Sequence, residues 1–145
     1  MATIAVVDDS ISIRQIFEYY LQDVGHTVLL AANGIEGLKL LAEHSVDVAL
    51  VDANMPGMHG LALCEAAKAN PLTAHVPVVL MTACVSRDLV ARALAAGALE
   101  VLSKPFDVVS VEATLRHYAE TAARTRAAAA PGLTAEQMRA FGDRN

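Results

Sequence analysis

Short apolar runs rich in β-branched residues alternate with longer stretches whose apolar positions recur at helical spacing, and the alternation repeats five times before residue 125. Residues 3–7 predict a first strand. Ser10 is the expected N-cap of the helix that follows, with a stripe of Ile13, Ile16, Phe17, Tyr20, Leu21 and Val24 and a stop at Gly25. Residues 28–31 predict a second strand, and Asn33-Gly34 opens a second helix marked by Ile35, Leu38, Leu41 and Ala42. A third run, residues 46–51, ends at Asp52 and leads into a tight loop that holds Pro56, Gly57 and Gly60. Residues 61–69 predict a third helix stopped by Asn70-Pro71, and residues 76–82 a strand with Pro77 near its start. A fourth helix is expected over 86–96 with Gly97 at its C-cap, then a fifth strand over 99–102. Asp107 caps a fifth helix with a stripe of Val111, Leu115, Tyr118 and Ala122. The pattern is (βα)5, an α/β fold with a parallel sheet.

From Thr121 the composition turns to alanine and arginine and is broken by Pro131-Gly132, which places a domain boundary there: 1–123 as the folded unit, 124–145 as an Ala-rich linker plus a short helix. Thr134 to Gln137 is a capping-box pattern, and Leu133 with Met138 has the spacing of a hydrophobic staple, so a helix is expected over 135–141, ending at Gly142. So short a helix is not stable alone. It reads as a tail or as the start of an absent output domain, with a slight tilt towards truncation.

With 145 residues, 54% of them hydrophobic, there is material for one substantial core. The net charge of −5 carries no long run of either sign, which argues against disorder and against direct nucleic-acid binding. Seven basic residues stand against thirteen acids over 1–119, and four against three over 120–145, so the acidic excess belongs to the (βα)5 unit. Cys64 and Cys84 lack CxxC spacing and supply neither a disulfide framework nor a zinc site, which fits a reducing, cytoplasmic setting. No basic leader opens the chain and no apolar stretch reaches the length of a membrane span, so secretion and membrane insertion are both disfavoured.

In an open parallel sheet, ligands bind outside the carboxyl ends of the strands, and the polar residues fall there. Asp8 and Asp9 follow the first strand, Asp52 ends the third, Thr82 ends the fourth and Lys104 follows the fifth. The second strand contributes nothing comparable, which places it at an edge. Three carboxylates gathered at one mouth repel one another unless they share a cation, and hard oxygen ligands without Cys or His spacing point to Mg²⁺. A lysine and a threonine beside them supply what phosphoryl oxygens need as charge builds on them. Asp52, alone at the end of a central strand, is the expected nucleophile, to be phosphorylated as an acyl phosphate. A single Asp after a strand is usually a helix cap, and Lys104-Pro105 alone is usually a solvated turn; the conjunction at four strand ends reverses that reading.

Val7-Asp8-Asp9-Ser10, Val51-Asp52 with Met55-Pro56-Gly57 and Gly60, Thr82-Ala83, and Lys104-Pro105-Phe106 together resemble the receiver domain of two-component response regulators, over about residues 1–123. The resemblance implies a doubly wound, flavodoxin-like sheet of order 2-1-3-4-5. It implies that Asp52 takes a phosphoryl group from the phosphohistidine of a histidine kinase or phosphotransfer protein. It further implies Mg²⁺ held by Asp9, Asp52 and the backbone carbonyl of Asn54, with Asp8 acting mainly through water. Lys104 would pair with the acyl phosphate and Thr82 would move to hydrogen-bond it. Many receivers carry Tyr or Phe three residues before the lysine, where this chain has Val101, so readout is expected through the Thr82 loop and the fourth helix without a swinging ring. Cys84 and Asn54 are expected to flank the path of a hydrolytic water, the small thiol leaving it open.

Two rival classes use the same residues. A phosphohydrolase of the haloacid dehalogenase type would normally place its nucleophile after the first strand as Asp-x-Asp, whereas Asp52-Ala53-Asn54 follows the third and lacks the second acid. A degenerate, unphosphorylated receiver used only for interaction would not need the complete set of five. Of the histidines, His26, His44, His75 and His117 are expected at the surface or at helix ends, and only His59 could touch the chemistry. Arg87, Arg92, Glu100, Asp107 and Arg116 are expected on the face of the fourth helix, fifth strand and fifth helix, where a downstream protein or a second protomer would dock. Met55 and Met58 fit loop packing better than a partner-binding edge.

Overall fold

The computed structural model describes residues 1–129, with side chains to residue 124. Five strands, β1 (Thr3–Val7), β2 (Thr27–Ala31), β3 (Val48–Asp52), β4 (Val78–Thr82) and β5 (Glu100–Ser103), alternate with helices α1 (Ile11–Asp23), α2 (Gly34–Glu43), α3 (Gly60–Ala69), α4 (Arg87–Ala95) and α5 (Val108–Ala129). The sheet order is β2-β1-β3-β4-β5, and every pairing is parallel. β2 is an edge, as its lack of site residues predicted.

Because side chains alternate along a strand, each strand feeds two cores. Ala5, Val7, Ala49, Val51, Val78 and Leu80 face α2, α3 and α4 through Leu41, Leu63 and Ala93. Ile4, Val6, Val48, Leu50, Val79 and Met81 face α1 and α5 through Phe17, Leu21, Val111 and Leu115. β3 and β4 are buried along their whole length, which explains why they read as continuous apolar runs.

The expected cap holds at Ser10, which accepts from the Ile13 amide; Asn33 and Ser86, read only as helix openings, prove to be caps too, accepting from the Glu36 and Leu89 amides. Gly25 and Gly97 close α1 and α4 with φ of +103° and +101°. The stripes are narrower than expected: Ile16, Val24 and Ile35 are 45%, 39% and 68% exposed, and Ala42 is exposed too, because only the arc of each helix turned to the sheet is covered. α5 is longer than its stripe implied. It continues through Thr121 to Ala129, so residues 124–129, expected to open a linker, extend the helix, as alanine-rich sequence favours. The break at Pro131-Gly132 and the helix expected over 135–141 lie outside the described residues. No helix among the described residues is long and apolar enough to cross a membrane.

Candidate functional site

Parallel register brings the site together. Val7 pairs with Val51, so Asp8 and Asp52 emerge side by side; Asp52 pairs with Met81 and Thr82 with Ser103, so Thr82 and Lys104 follow on the next two strands. Backbone bonds carry the ladder past the last strand residues: Ala53 donates to the Met81 carbonyl at 2.9 Å and Lys104 to that of Thr82 at 2.7 Å. The Lys104–Pro105 peptide is cis.

Carboxylate oxygens of Asp8, Asp9 and Asp52 all lie within 4.8 Å of one another. Asp8 and Asp52 are buried and Asp9 is exposed. Lys104 Nζ reaches between the buried pair, 3.5 Å from Asp8 Oδ2 and 3.6 Å from Asp52 Oδ2. Asp8 Oδ1 accepts from the Ser10 amide at 2.8 Å, but Asp8 Oδ2 has no hydrogen-bond partner. Burial pushes the Asp8 carboxyl above its ordinary range, and the charges of Asp52 and Asp9 add to that rise; the Ser10 amide and Lys104 oppose it without cancelling it. A buried oxygen without a hydrogen bond amid three acids is a fit for a hard divalent cation, and these residues form a potential metal site.

Asn54 and Thr82 complete the mouth. The Asn54 amide donates to Asp52 Oδ1 at 3.0 Å, and Thr82 Oγ1 donates to Asn54 Oδ1 at 2.7 Å. The Cys84 amide donates back to Thr82 Oγ1 at 3.2 Å, and the Cys84 side chain is exposed. Gly60 lets the loop after β3 close on itself: a Cβ there would sit 2.6 Å from the Asp52 carbonyl oxygen. Beside the acids opens a cleft of about 630 Å³ between that loop and α4, lined by Asp9, Asn54, His59, Leu61, Leu89 and Arg92.

The sequence profile of the response regulator receiver domain matches residues 4–116. The chain belongs to this receiver family. Among curated relatives it is 42% identical over 120 residues to the DNA-binding transcriptional regulator NtrC of Escherichia coli K12, covering 79% of this chain and 25% of NtrC. It is 37% identical over 115 residues to the response regulator PleD of Caulobacter vibrioides, again covering 79% and 25%. The receiver thus spans about a quarter of the length of those relatives. Among solved structures, the chemotaxis protein CheY4 of Vibrio cholerae superposes with a TM-score of 0.78 at 36% identity, covering 81% of this chain and 98% of CheY4.

All five acid, threonine and lysine positions read from the sequence converge at this receiver's single mouth. Val101 is half-buried and packs into the core beneath α3 and α4. Met55 is buried and Met58 packs on Gly34, the loop-packing role. His59 caps α3, its Nδ1 accepting from the Ala62 amide at 3.3 Å. His26 sits at a helix end, its amide donating to the Leu21 carbonyl just past α1, and is buried there: it is 6% exposed, with Nε2 2.8 Å from Glu112 Oε2 and Nδ1 accepting from the Ala2 amide. Two expectations need correction. Arg116 lies with that pair at the amino-end pole, its Nε 3.1 Å from Glu112 Oε2, and not on the expected docking face. Arg92 reaches the cleft beside the site. Sequence reading also missed two contacts, the bond from Thr82 to the Asn54 side chain and that of Arg14, whose Nη1 donates to the Asp8 carbonyl at 2.7 Å. The Asp8–Arg14 spacing spans a helix entry and could have suggested the second; nothing local signals the His26–Glu112 pair, which is 86 residues apart.

Proposed function

We propose that this receiver is a phosphoryl-accepting switch: Asp52 takes a phosphoryl group from the phosphohistidine of a histidine kinase or phosphotransfer protein, and the Thr82 loop with α4 changes conformation to control a downstream protein or an output domain. The observation that carries the reading is Lys104 Nζ standing 3.5 and 3.6 Å from Asp8 Oδ2 and Asp52 Oδ2, an ion pair too long to give the buried Asp8 Oδ2 a hydrogen bond. Mg²⁺ would be held by Asp9, Asp52 and the Asn54 carbonyl, with Asp8 acting mainly through water, and would supply charge neutralisation at the phosphoryl oxygens. The chain's own residues do the rest. The Asn54 amide, donating to Asp52 Oδ1, orients the nucleophile. Lys104 offers a mobile ammonium to the acyl phosphate, and Thr82 a hydroxyl. The only chemistry is gain and loss of this group, so the receiver signals without turning over a substrate. Exposed Cys84 leaves the path of a hydrolytic water open. Readout runs without an aromatic ring, since Val101 stands where many receivers have one. The setting is the cytoplasm, and a second protomer would dock on the face of α4, β5 and α5, where Arg87 lines an apolar groove with Val90 and Leu94.

Intact mass after incubation with acetyl phosphate and Mg²⁺ tests this. One labile phosphoryl adduct is expected, absent in Asp52→Ala and without metal, and longer-lived in Cys84→Arg. Continuous phosphate release without an adduct would favour the hydrolase, and neither product would leave an interaction module.

A further inference from the structure

Thr82 is fully buried, and its hydroxyl is spoken for on both sides. Its proton goes to Asn54 Oδ1 at 2.7 Å, and its oxygen accepts the Cys84 amide at 3.2 Å. A hydroxyl has one proton and donates it to one acceptor at a time. If Thr82 is to hydrogen-bond a phosphoryl oxygen on Asp52, the bond to Asn54 must first be given up. Asn54 is also tied to the acceptor itself, since its backbone N–H donates to Asp52 Oδ1 at 3.0 Å.

We infer that the Asn54 side chain is a positioning residue, a latch that holds Thr82 in the unphosphorylated state until a phosphoryl oxygen takes the hydroxyl proton from it. The inference rests on the switch reading above and assigns to the side chain of Asn54 a part separate from that of its backbone carbonyl. A phosphoryl oxygen is charged and Asn54 Oδ1 is neutral, and charge-assisted hydrogen bonds are about twice as strong as neutral ones, so the exchange runs forward once the group is on. Before that, a bond of ordinary net strength biases the loop towards the latched state by roughly fivefold. The bias passes outward through the Cys84 amide, which donates to the same hydroxyl oxygen, so releasing Thr82 loosens the entry to α4. Asn54 is exposed, so replacing its side chain disturbs no core packing.

Amide NMR spectra of the full chain test the latch, with Mg²⁺ and fluoroberyllate as the phosphoryl probe. Without the probe, Asn54→Ala should move the amides of Ala83, Cys84 and Val85 part-way along the line joining the free and probe-bound positions of the unaltered chain. Asn54→Asp, whose charged side-chain oxygen holds the hydroxyl proton at least as firmly, should move them no closer to the probe-bound position. In a Thr82→Val background, Asn54→Ala should add no further displacement. Amides that stay at the free position in Asn54→Ala, leave that line, or move as far in Asn54→Asp would overturn the latch alone, provided the unaltered chain responds to the probe. An unaltered chain that neither responds nor forms the Asp52 adduct would overturn the switch reading and the latch with it.

Discussion

Burying a carboxylate with no hydrogen-bond donor on one oxygen costs free energy, and Asp8 bears that cost beside Asp9 and Asp52. Its pKa is raised, so its protonated form is the one the fold favours: the stability it contributes is fully present below the ordinary carboxylate value and is lost as pH rises through the raised one. Asp8→Asn removes the charge and keeps the shape. Without metal at neutral pH the variant should therefore melt several degrees above the unaltered chain, at about 2–4 °C per kcal/mol for a chain of this size. The gap should close as the buffer is taken below the carboxylate range, where both carry a neutral group. Adding Mg²⁺ should raise the melting temperature of the unaltered chain and leave that of Asp8→Asn nearly still. Calorimetry across pH, with and without Mg²⁺, checks all three. Equal melting temperatures at neutral pH would mean that Lys104 already offsets the repulsion.

Elements set how well such a residue is aimed, and the turn from β3 into α3 has the least slack. A Cβ on Gly60 would meet the Asp52 carbonyl oxygen at 2.6 Å and the Ala53 Cα at 2.7 Å, both backbone atoms that cannot swing aside. Gly60→Ala should cost about 1–3 kcal/mol in a urea melt. It should also slow adduct formation at Asp52, because the strand end that carries the nucleophile has to move. An adduct formed at the unaltered rate would show that the turn relaxes away from the site. The elements themselves were legible because their signals are local: a cap at Ser10, helix openings at Asn33-Gly34 and Ser86, closing glycines, and apolar runs for the two strands covered on both faces. The convergence of Asp8, Asp52, Thr82 and Lys104 was legible too, since parallel strands put successive carboxyl ends at one pole. Asn54 was read for its carbonyl and for its place beside the water path, while its side-chain bond to Thr82 depends on a loop conformation that spacing does not encode. α5 outran its reading because alanine continues a helix without marking a face.

At the scale of the whole receiver, the two poles of the sheet do different work. The carboxyl-end pole gathers acids; the amino-end pole is closed by His26, whose Nδ1 accepts from Ala2 and whose Nε2 therefore donates to Glu112 on α5. That arrangement joins the starts of β1 and β2 to the helix far from the chemistry. Glu112→Leu leaves the buried His26 Nε2–H without an acceptor and should cost about 1–3 kcal/mol in the same urea melt. It should nevertheless leave the Asp52 adduct intact, and loss of the adduct in a chain that still folds would show that the poles are coupled.

The two cysteines differ as sharply as the poles. Cys84 is exposed two residues from Thr82, whereas Cys64 is fully buried, its Sγ donating to the Ala96 carbonyl at 3.4 Å and its pKa pushed up by burial. A maleimide dye should therefore attach to Cys84 alone in the native chain and place a reporter on the switch loop without any engineering. With Cys84→Ser, the remaining thiol reacts only when α3 parts from the turn after α4, so its labelling rate keeps time for that opening.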